Sequence, residues 1–160
     1  MTNKHLATYL NDHLSGAVGA IELLEHLSKW EGQPGRTLAS VRDEVKLDRD
    51  ALRGIMDKLH VAESPVRKAA GWIAHAAAQL KLRLDDPSAS RLYRVEALEA
   101  VSLGIEGKLA GWKSLEAIVD AYPAIQSVDF GALQGRAAAQ RSRIEALRLE
   151  AGREAFVTAP

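Results

Sequence analysis

The fold is decided by residues 98–119, LEAVSLGIEGKLAGWKSLEAIV, in which apolar side chains recur at intervals of three and four residues. Such steps bring side chains to one face of an α-helix, and a sustained heptad packs against other helices at shallow angles. The seam consists of Leu98, Val101, Ile105, Lys108, Trp112, Leu115 and Val119. This stretch therefore predicts a long helix in a helical bundle.

The rest of the chain repeats the helical spacing between breaks that contain Gly and Pro, at residues 31–35 and at Pro123. We predict helices over residues 2–30, 37–60, 64–84, 90–122 and 129–156, and no strand. The simplest assembly is an all-α, four-helix up-down bundle of helices one, two, four and five. The third, Ala-rich helix then runs back along the outside as a crossover. Residues 1–160 are long enough for one core and are treated as a single helical-bundle domain.

The composition excludes several classes of function. The chain has 21 basic and 21 acidic residues, so no overall field attracts nucleic acid or a membrane surface. Cysteine is absent, which excludes disulfides, thiolate metal sites and cysteine nucleophiles and fits a reducing compartment. The start of the chain lacks the apolar block of a signal peptide, and no apolar run reaches the ~20 residues that span a bilayer. We expect a cytoplasmic protein without nucleic-acid or membrane partners, and leave protein partners and homo-oligomer formation open.

Polar side chains interrupt the apolar faces at one position in each long helix. These positions are His13, Asp48, Lys108 and Gln140. With a rise of ~1.5 Å per residue, the crossover topology brings all four to within about one helical turn of the same height. Buried polar groups cost free energy unless they are paired. We therefore predict that the four side chains form one polar layer at the middle of the core.

This polar layer has a structural and a functional interpretation. In the structural one, Asp48 and Lys108 form a buried ion pair, completed by His13 and Gln140, that fixes the register of the helices. Lys108 could instead carry its ammonium out to solvent along its flexible stem. In the functional one, a desolvated lysine beside a carboxylate and a histidine is a nucleophile, a proton-transfer centre or an anchor for a small anion. We favour the structural interpretation and assign no catalytic residue.

A di-metal centre is not expected in the polar layer. Bundles that hold paired metals use several carboxylates and usually two Glu-x-x-His pairs, and this sequence contains no Glu-x-x-His. A lysine at the same height would also repel a divalent ion. We therefore predict no metal ligands and no cofactor.

Two further patterns concern the helix surfaces. Gly104, Gly107 and Gly111 form a smooth strip that we expect to pack closely on the third helix, with a groove for a partner or ligand as the alternative. Arginines of the last helix alternate with glutamates at helical spacing, which favours surface ion pairs over nucleic-acid contacts. These arginines are Arg136, Arg141, Arg143, Arg148 and Arg153.

Two antiparallel hairpins joined by a crossover resemble the ferritin-like superfamily, over most of the chain. The resemblance implies a mid-bundle site, often di-iron, for oxidation or iron storage. This sequence departs from that pattern at the ligands. It has His13, Asp48, Lys108 and Gln140 where the superfamily pattern leads us to expect a set of carboxylates and histidines. Residues 9–14, YLNDHL, and 104–109, GIEGKL, resemble those of an uncharacterised family of bacterial predicted proteins. That second resemblance implies a bacterial cytoplasmic protein and supplies no activity.

These patterns together favour a non-catalytic helical bundle for protein interaction or small-ligand binding, lacking a working di-metal centre. The alternative is a ferritin-like enzyme or redox protein that uses the mid-bundle polar site. Whether the chain is an enzyme stays open at this point. Both interpretations are decided by the same four residues, His13, Asp48, Lys108 and Gln140.

Overall fold

The computed structural model describes residues 3–64 and 90–157, and within these ranges all regular structure is helical. The long helices are α1 (Lys4–Leu27), α2 (Gly32–Lys58), α3 (Ser90–Glu116) and α4 (Phe130–Phe156), and two 3-10 helices, Val119–Ala121 and Pro123–Ile125, connect α3 to α4. The prediction of an all-α protein is confirmed. The third predicted helix, residues 64–84, falls almost entirely outside the described residues.

Side chains just before α1 and α4 cap their first turns. Asn3 accepts a hydrogen bond from the His5 backbone N–H at 2.8 Å, and Asp129 accepts one from the Ala132 N–H at 2.8 Å. The first turn of a helix has N–H groups without partners inside the helix, which these side-chain oxygens satisfy. The starts of both helices therefore follow from local sequence.

The break predicted at residues 31–35 exists but lies earlier, at residues 28–31, because α1 ends at Leu27 and α2 begins at Gly32. Gly32 has a φ of +74°, which reverses the chain after Trp30 and is open to glycine without strain. Pro34 is tolerated because the first turn of a helix needs no backbone N–H from it. Gly35 is required by a close approach, since a Cβ at this position would lie 1.8 Å from the Trp30 carbonyl oxygen.

The predicted end of the fourth helix is also wrong. α3 stops at Glu116, six residues before the predicted end, and Val119 belongs to a 3-10 helix instead of the seam. Pro123 begins the second 3-10 helix, where its fixed φ suits the first position. The tighter turns bring Ile125 into the core, where it is completely buried.

The helices form two antiparallel hairpins, α1 with α2 and α3 with α4, which we call the first and second hairpin. In each hairpin, the further a residue lies along the first helix, the earlier its contact lies along the second, as antiparallel helices require. The pairs are Glu25–Lys46 and Asn11–Ala62 in the first hairpin, and Glu99–Arg148 and Glu116–Gln134 in the second.

The two hairpins pack with α1 against α3 and α2 against α4, and both pairs are antiparallel. The contacts are His13–Gly111 and Trp30–Arg94 between α1 and α3, and Glu44–Arg143 and Lys58–Ser127 between α2 and α4. It follows that α2 and α3 run in the same direction. The described chain therefore leaves the bundle at one end after α2 and enters again at the opposite end at Ser90.

In the part of the chain that the structure describes, the core consists of two apolar clusters that follow each other along the bundle axis. The first contains Leu24, Leu38, Val41, Val45, Leu98, Val101, Ile105 and Ile144, and the second contains Leu10, Leu14, Leu52, Ile55, Trp112, Leu115, Ile125 and Phe130. On α2 and α3 the boundary between the clusters falls at Asp48 and Lys108. Among the described helices, none combines the length and apolar character needed to cross a membrane.

Candidate functional site

Three of the four predicted polar residues meet in the middle of the bundle. The Lys108 ammonium on α3 donates hydrogen bonds to Asp48 Oδ2 on α2 and to Gln140 Oε1 on α4, both at 2.5 Å. Gln140 Nε2 donates to the same Asp48 oxygen at 3.1 Å. The contacts form a closed triangle of side chains from three helices.

Arg136 is a fourth member that the sequence analysis did not place in the layer. Its Nε donates to Asp48 Oδ1 at 2.6 Å, so both oxygens of the carboxylate are engaged. Arg136 lies four residues before Gln140, and residues at this spacing are neighbours on a helix surface. That spacing was the available signal, although Arg136 was assigned to surface pairing with glutamates. We call Asp48, Lys108, Arg136 and Gln140 the Asp48 network.

Burial differs sharply between the acceptors and the cations of the Asp48 network. Asp48 and Gln140 are 1% and 0% exposed, whereas the Lys108 and Arg136 side chains are 15% and 31% exposed. The carboxylate and the amide therefore lie inside the bundle, and the two cations reach them from its edge. The Lys108 stem turns the ammonium inward, which excludes the snorkelling alternative for this structure.

The charge of Asp48 opposes the effect of burial on Lys108. Burial lowers the pKa of Lys108 because desolvation disfavours the charged amine, and Arg136 acts in the same direction. The Asp48 carboxylate offsets part of this effect through its charge and its hydrogen bond, and Glu44, one turn away on α2, adds a smaller contribution of the same sign. Glu44 itself pairs with Arg143 at 2.5 Å. Two cations thus share the carboxylate of Asp48.

His13 does not join the Asp48 network, which corrects the predicted layer. Within residues 3–64 and 90–157, no hydrogen bond connects His13 to Asp48, Lys108 or Gln140. Its half-buried ring lies against α3 at Gly111, where an added Cβ would be 2.8 Å from His13 Cε1. The predicted height of His13 along the bundle is right to about one turn, since Gly111 follows Lys108 by three residues. His13 was assigned to the apolar face of α1, but its ring lies against α3 at Gly111 and not beside Asp48.

His13 also contacts an aromatic side chain of its own helix. Its ring meets that of Tyr9 edge to face, with centroids 4.5 Å apart and planes inclined by 67°. Burial lowers the pKa of His13 from its usual value of 6.5, and the neighbouring Asp12 works against that change. The neutral imidazole is therefore the form favoured at this position.

The helix that was expected to pack on the glycine strip, residues 64–84, lies almost entirely outside the described residues. Within them, Gly111 contacts the His13 ring of α1, and the close approach explains why this position lacks a side chain. Gly107 is exposed, and a Cβ there would meet open space in the described structure. One glycine of the strip thus serves the contact between the hairpins, and Gly107 does not.

In the Asp48 network, both oxygens of Asp48 and the side-chain oxygen of Gln140 accept hydrogen bonds from other members. Among the described residues, no group of three or more His, Cys, Asp or Glu side chains is placed to hold a metal ion. Comparisons with protein-family models, curated proteins and solved structures found no match to this chain. The interpretation of the Asp48 network therefore depends on its geometry.

Proposed function

We propose that this protein is a non-catalytic helical bundle for protein interaction or small-ligand binding, without a working di-metal centre. One observation carries the proposal: the Lys108 ammonium lies in the middle of the bundle and donates hydrogen bonds to Asp48 and Gln140. Arg136 donates to the second oxygen of Asp48. Each side-chain oxygen of the Asp48 network accepts a hydrogen bond from another member, which supports a structural role for the network.

The charge of the Asp48 network supports the same proposal. Di-metal centres in helical bundles use several carboxylates and histidines, and the carboxylates supply the compensating charge. The Asp48 network contains one carboxylate and two positively charged side chains. A metal ion at this height would have to displace Lys108 and would still face Arg136.

Exposed apolar side chains on the second hairpin support an interaction role. Leu92 and Leu103 of α3 are 42% and 54% exposed, and their spacing of eleven residues places them on one face of the helix. Leu149 of α4 is 46% exposed. Function is then expected at the outer surface of the bundle, with the Asp48 network holding the helices in position.

We also propose a ferritin-like arrangement for the chain. Two antiparallel hairpins with α2 and α3 running in the same direction support it, because a crossover has to connect them. A bacterial, cytoplasmic origin is part of the same proposal and rests on the sequence resemblance and the absence of cysteine. In this proposal the Asp48 network occupies the height at which the superfamily resemblance implies a metal site.

The test begins with metal analysis of the purified protein. Fe(II) is then added in air, and iron oxidation is measured by absorbance. We expect substoichiometric metal and oxidation no faster than in buffer. Lys108→Met, which removes the central cation, serves as the matched control. Stoichiometric metal together with protein-dependent oxidation in the unmodified chain would overturn the proposal and support the ferritin-like enzyme or redox protein instead.

A further inference from the structure

We infer that Asp48 Oδ2 and Gln140 Oε1 form a binding site for a primary ammonium group, which this chain fills with its own Lys108. We call these two oxygens the ammonium cradle. The inference rests on the proposed function in one respect, namely that an internal cation and not a metal ion holds the middle of the bundle. It adds the chemical class of ligand that the site accepts.

The ammonium cradle is held in shape by contacts that do not involve Lys108. Arg136 fixes one oxygen of Asp48 at 2.6 Å, and Gln140 Nε2 donates to the other at 3.1 Å. Because the amide nitrogen of Gln140 faces Asp48, its oxygen Oε1 points to the ammonium nitrogen. Both acceptor side chains are almost completely buried and come from facing helices. The ammonium cradle is therefore expected to persist when the Lys108 side chain is removed.

The charge of the ammonium cradle selects a monovalent cation. Asp48 supplies the single negative charge, and Arg136 already compensates part of it, so a divalent ion would be poorly neutralised. Two acceptors at hydrogen-bond distance favour a cation that donates N–H bonds. A quaternary ammonium ion has no N–H to donate and is bulkier, so it should not bind.

The size of the site follows from the side chain that fills it. Beyond its Cβ, Lys108 consists of three methylenes and an ammonium group, which together match propylammonium. The Lys108 side chain is 15% exposed, so the site has an opening to solvent at the edge of the bundle. Replacing Lys108 with alanine should thus leave a site that propylammonium can enter and fill.

The experiment measures thermal unfolding of Lys108→Ala in increasing propylammonium chloride. A ligand that binds only the folded state raises the midpoint with concentration. We expect propylammonium to raise the midpoint of Lys108→Ala by several degrees more than tetramethylammonium chloride or sodium chloride at equal ionic strength. The unmodified chain and Lys108→Met, in which the stem still fills the site, should respond equally to the three salts. The double variant Asp48→Asn/Lys108→Ala should lose the selective response.

A Lys108→Ala variant without a selective propylammonium response would overturn the inference, and so would an equal response of Lys108→Met. If Lys108→Ala is unfolded in buffer, its refolding is measured by circular dichroism in each salt. A variant that does not fold selectively in propylammonium also overturns the inference. These outcomes differ from those of the iron experiment. Metal binding with iron oxidation contradicts the proposed function, whereas a missing propylammonium response contradicts the ammonium cradle alone.

Discussion

At the scale of single residues, the contact between His13 and Gly111 gives a prediction about glycine. Alanine normally stabilises an exposed helix position relative to glycine by roughly 0.5–1 kcal/mol. In Gly111→Ala the new Cβ would lie 2.8 Å from His13 Cε1, so the ring must turn away from its position beside Tyr9. We expect Gly111→Ala to be about 1–2 kcal/mol less stable than Gly107→Ala in urea denaturation, because crowding in a packed site offsets the helix preference.

Gly107→Ala is the matched control, since it lies on the same helix one turn earlier and its Cβ meets open space. His13→Ala provides the second control by removing the ring. In a His13→Ala background, the alanine substitutions at positions 107 and 111 should have similar effects. Equal stabilities of the two variants in the unmodified background would show that the His13 ring does not constrain Gly111.

The residues of the Asp48 network were predictable to the extent that they interrupt an apolar face. Asp48, Lys108 and Gln140 each replace an expected apolar residue, and burying such groups requires partners, so their meeting follows from the sequence. Arg136 lies beside the buried residues Leu133, Ala137 and Gln140 of α4, where an arginine is ordinary. Only the position of Asp48 shows its role. For His13 the spacing gives a height, but the rotation of α1 about its axis depends on packing with α3.

At the scale of secondary-structure elements, the turn between α1 and α2 depends on Gly35. A Cβ at this position would lie 1.8 Å from the Trp30 carbonyl oxygen and 2.9 Å from the carbonyl carbon, and backbone atoms in a tight turn cannot move aside cheaply. We expect Gly35→Ala to lower the free energy of unfolding by about 3 kcal/mol or more, the range of severe steric changes. Guanidinium denaturation followed by circular dichroism measures the loss.

Gly54→Ala is the control on the same helix, because Gly54 is exposed and its Cβ would meet open space. This variant should gain roughly 0.5–1 kcal/mol from helix preference. A Gly35→Ala protein as stable as Gly54→Ala would contradict the close approach to Trp30.

Helix existence was predictable from the sequence, and helix ends were predictable only where a local signal decides them. Asn3 and Asp129 mark the starts of α1 and α4 through their capping side chains. The Gly and Pro residues of positions 32–35 are typical of a turn, yet they form the first turn of α2, where Pro is also tolerated. The end of α3 depends on the burial of Ile125, a tertiary contact that helical spacing does not contain.

At the scale of the whole molecule, Asp48 is a buried polar connection between the two hairpins. It belongs to the first hairpin, and its partners Lys108, Arg136 and Gln140 belong to the second. Removing one partner of a buried ion pair is costly because the other charge stays buried without compensation. Asp48→Asn should therefore lower the free energy of unfolding by about 3–5 kcal/mol, measured by urea denaturation.

Lys108→Met should cost less, about 1–3 kcal/mol, because Arg136 continues to compensate Asp48 and only hydrogen bonds are lost. The double variant Asp48→Asn/Lys108→Met then gives the interaction energy of the pair by a double-mutant cycle. A loss in Lys108→Met as large as in Asp48→Asn would mean that Arg136 does not compensate the carboxylate. A more stable Lys108→Met would indicate that the Asp48 network serves a purpose other than stability.

The shared carboxylate of Asp48 also has a consequence for how related sequences can diverge. The Asp48 carboxylate pairs with two cations and an amide from two other helices. A lineage that loses this carboxylate would leave Lys108 and Arg136 without their anionic partner. Substitutions at Lys108 and Arg136 should then accompany any replacement of Asp48, and an apolar residue at position 48 should occur with apolar residues at 108 and 140. Covariation among these positions in related sequences would reflect the contacts at the centre of the bundle.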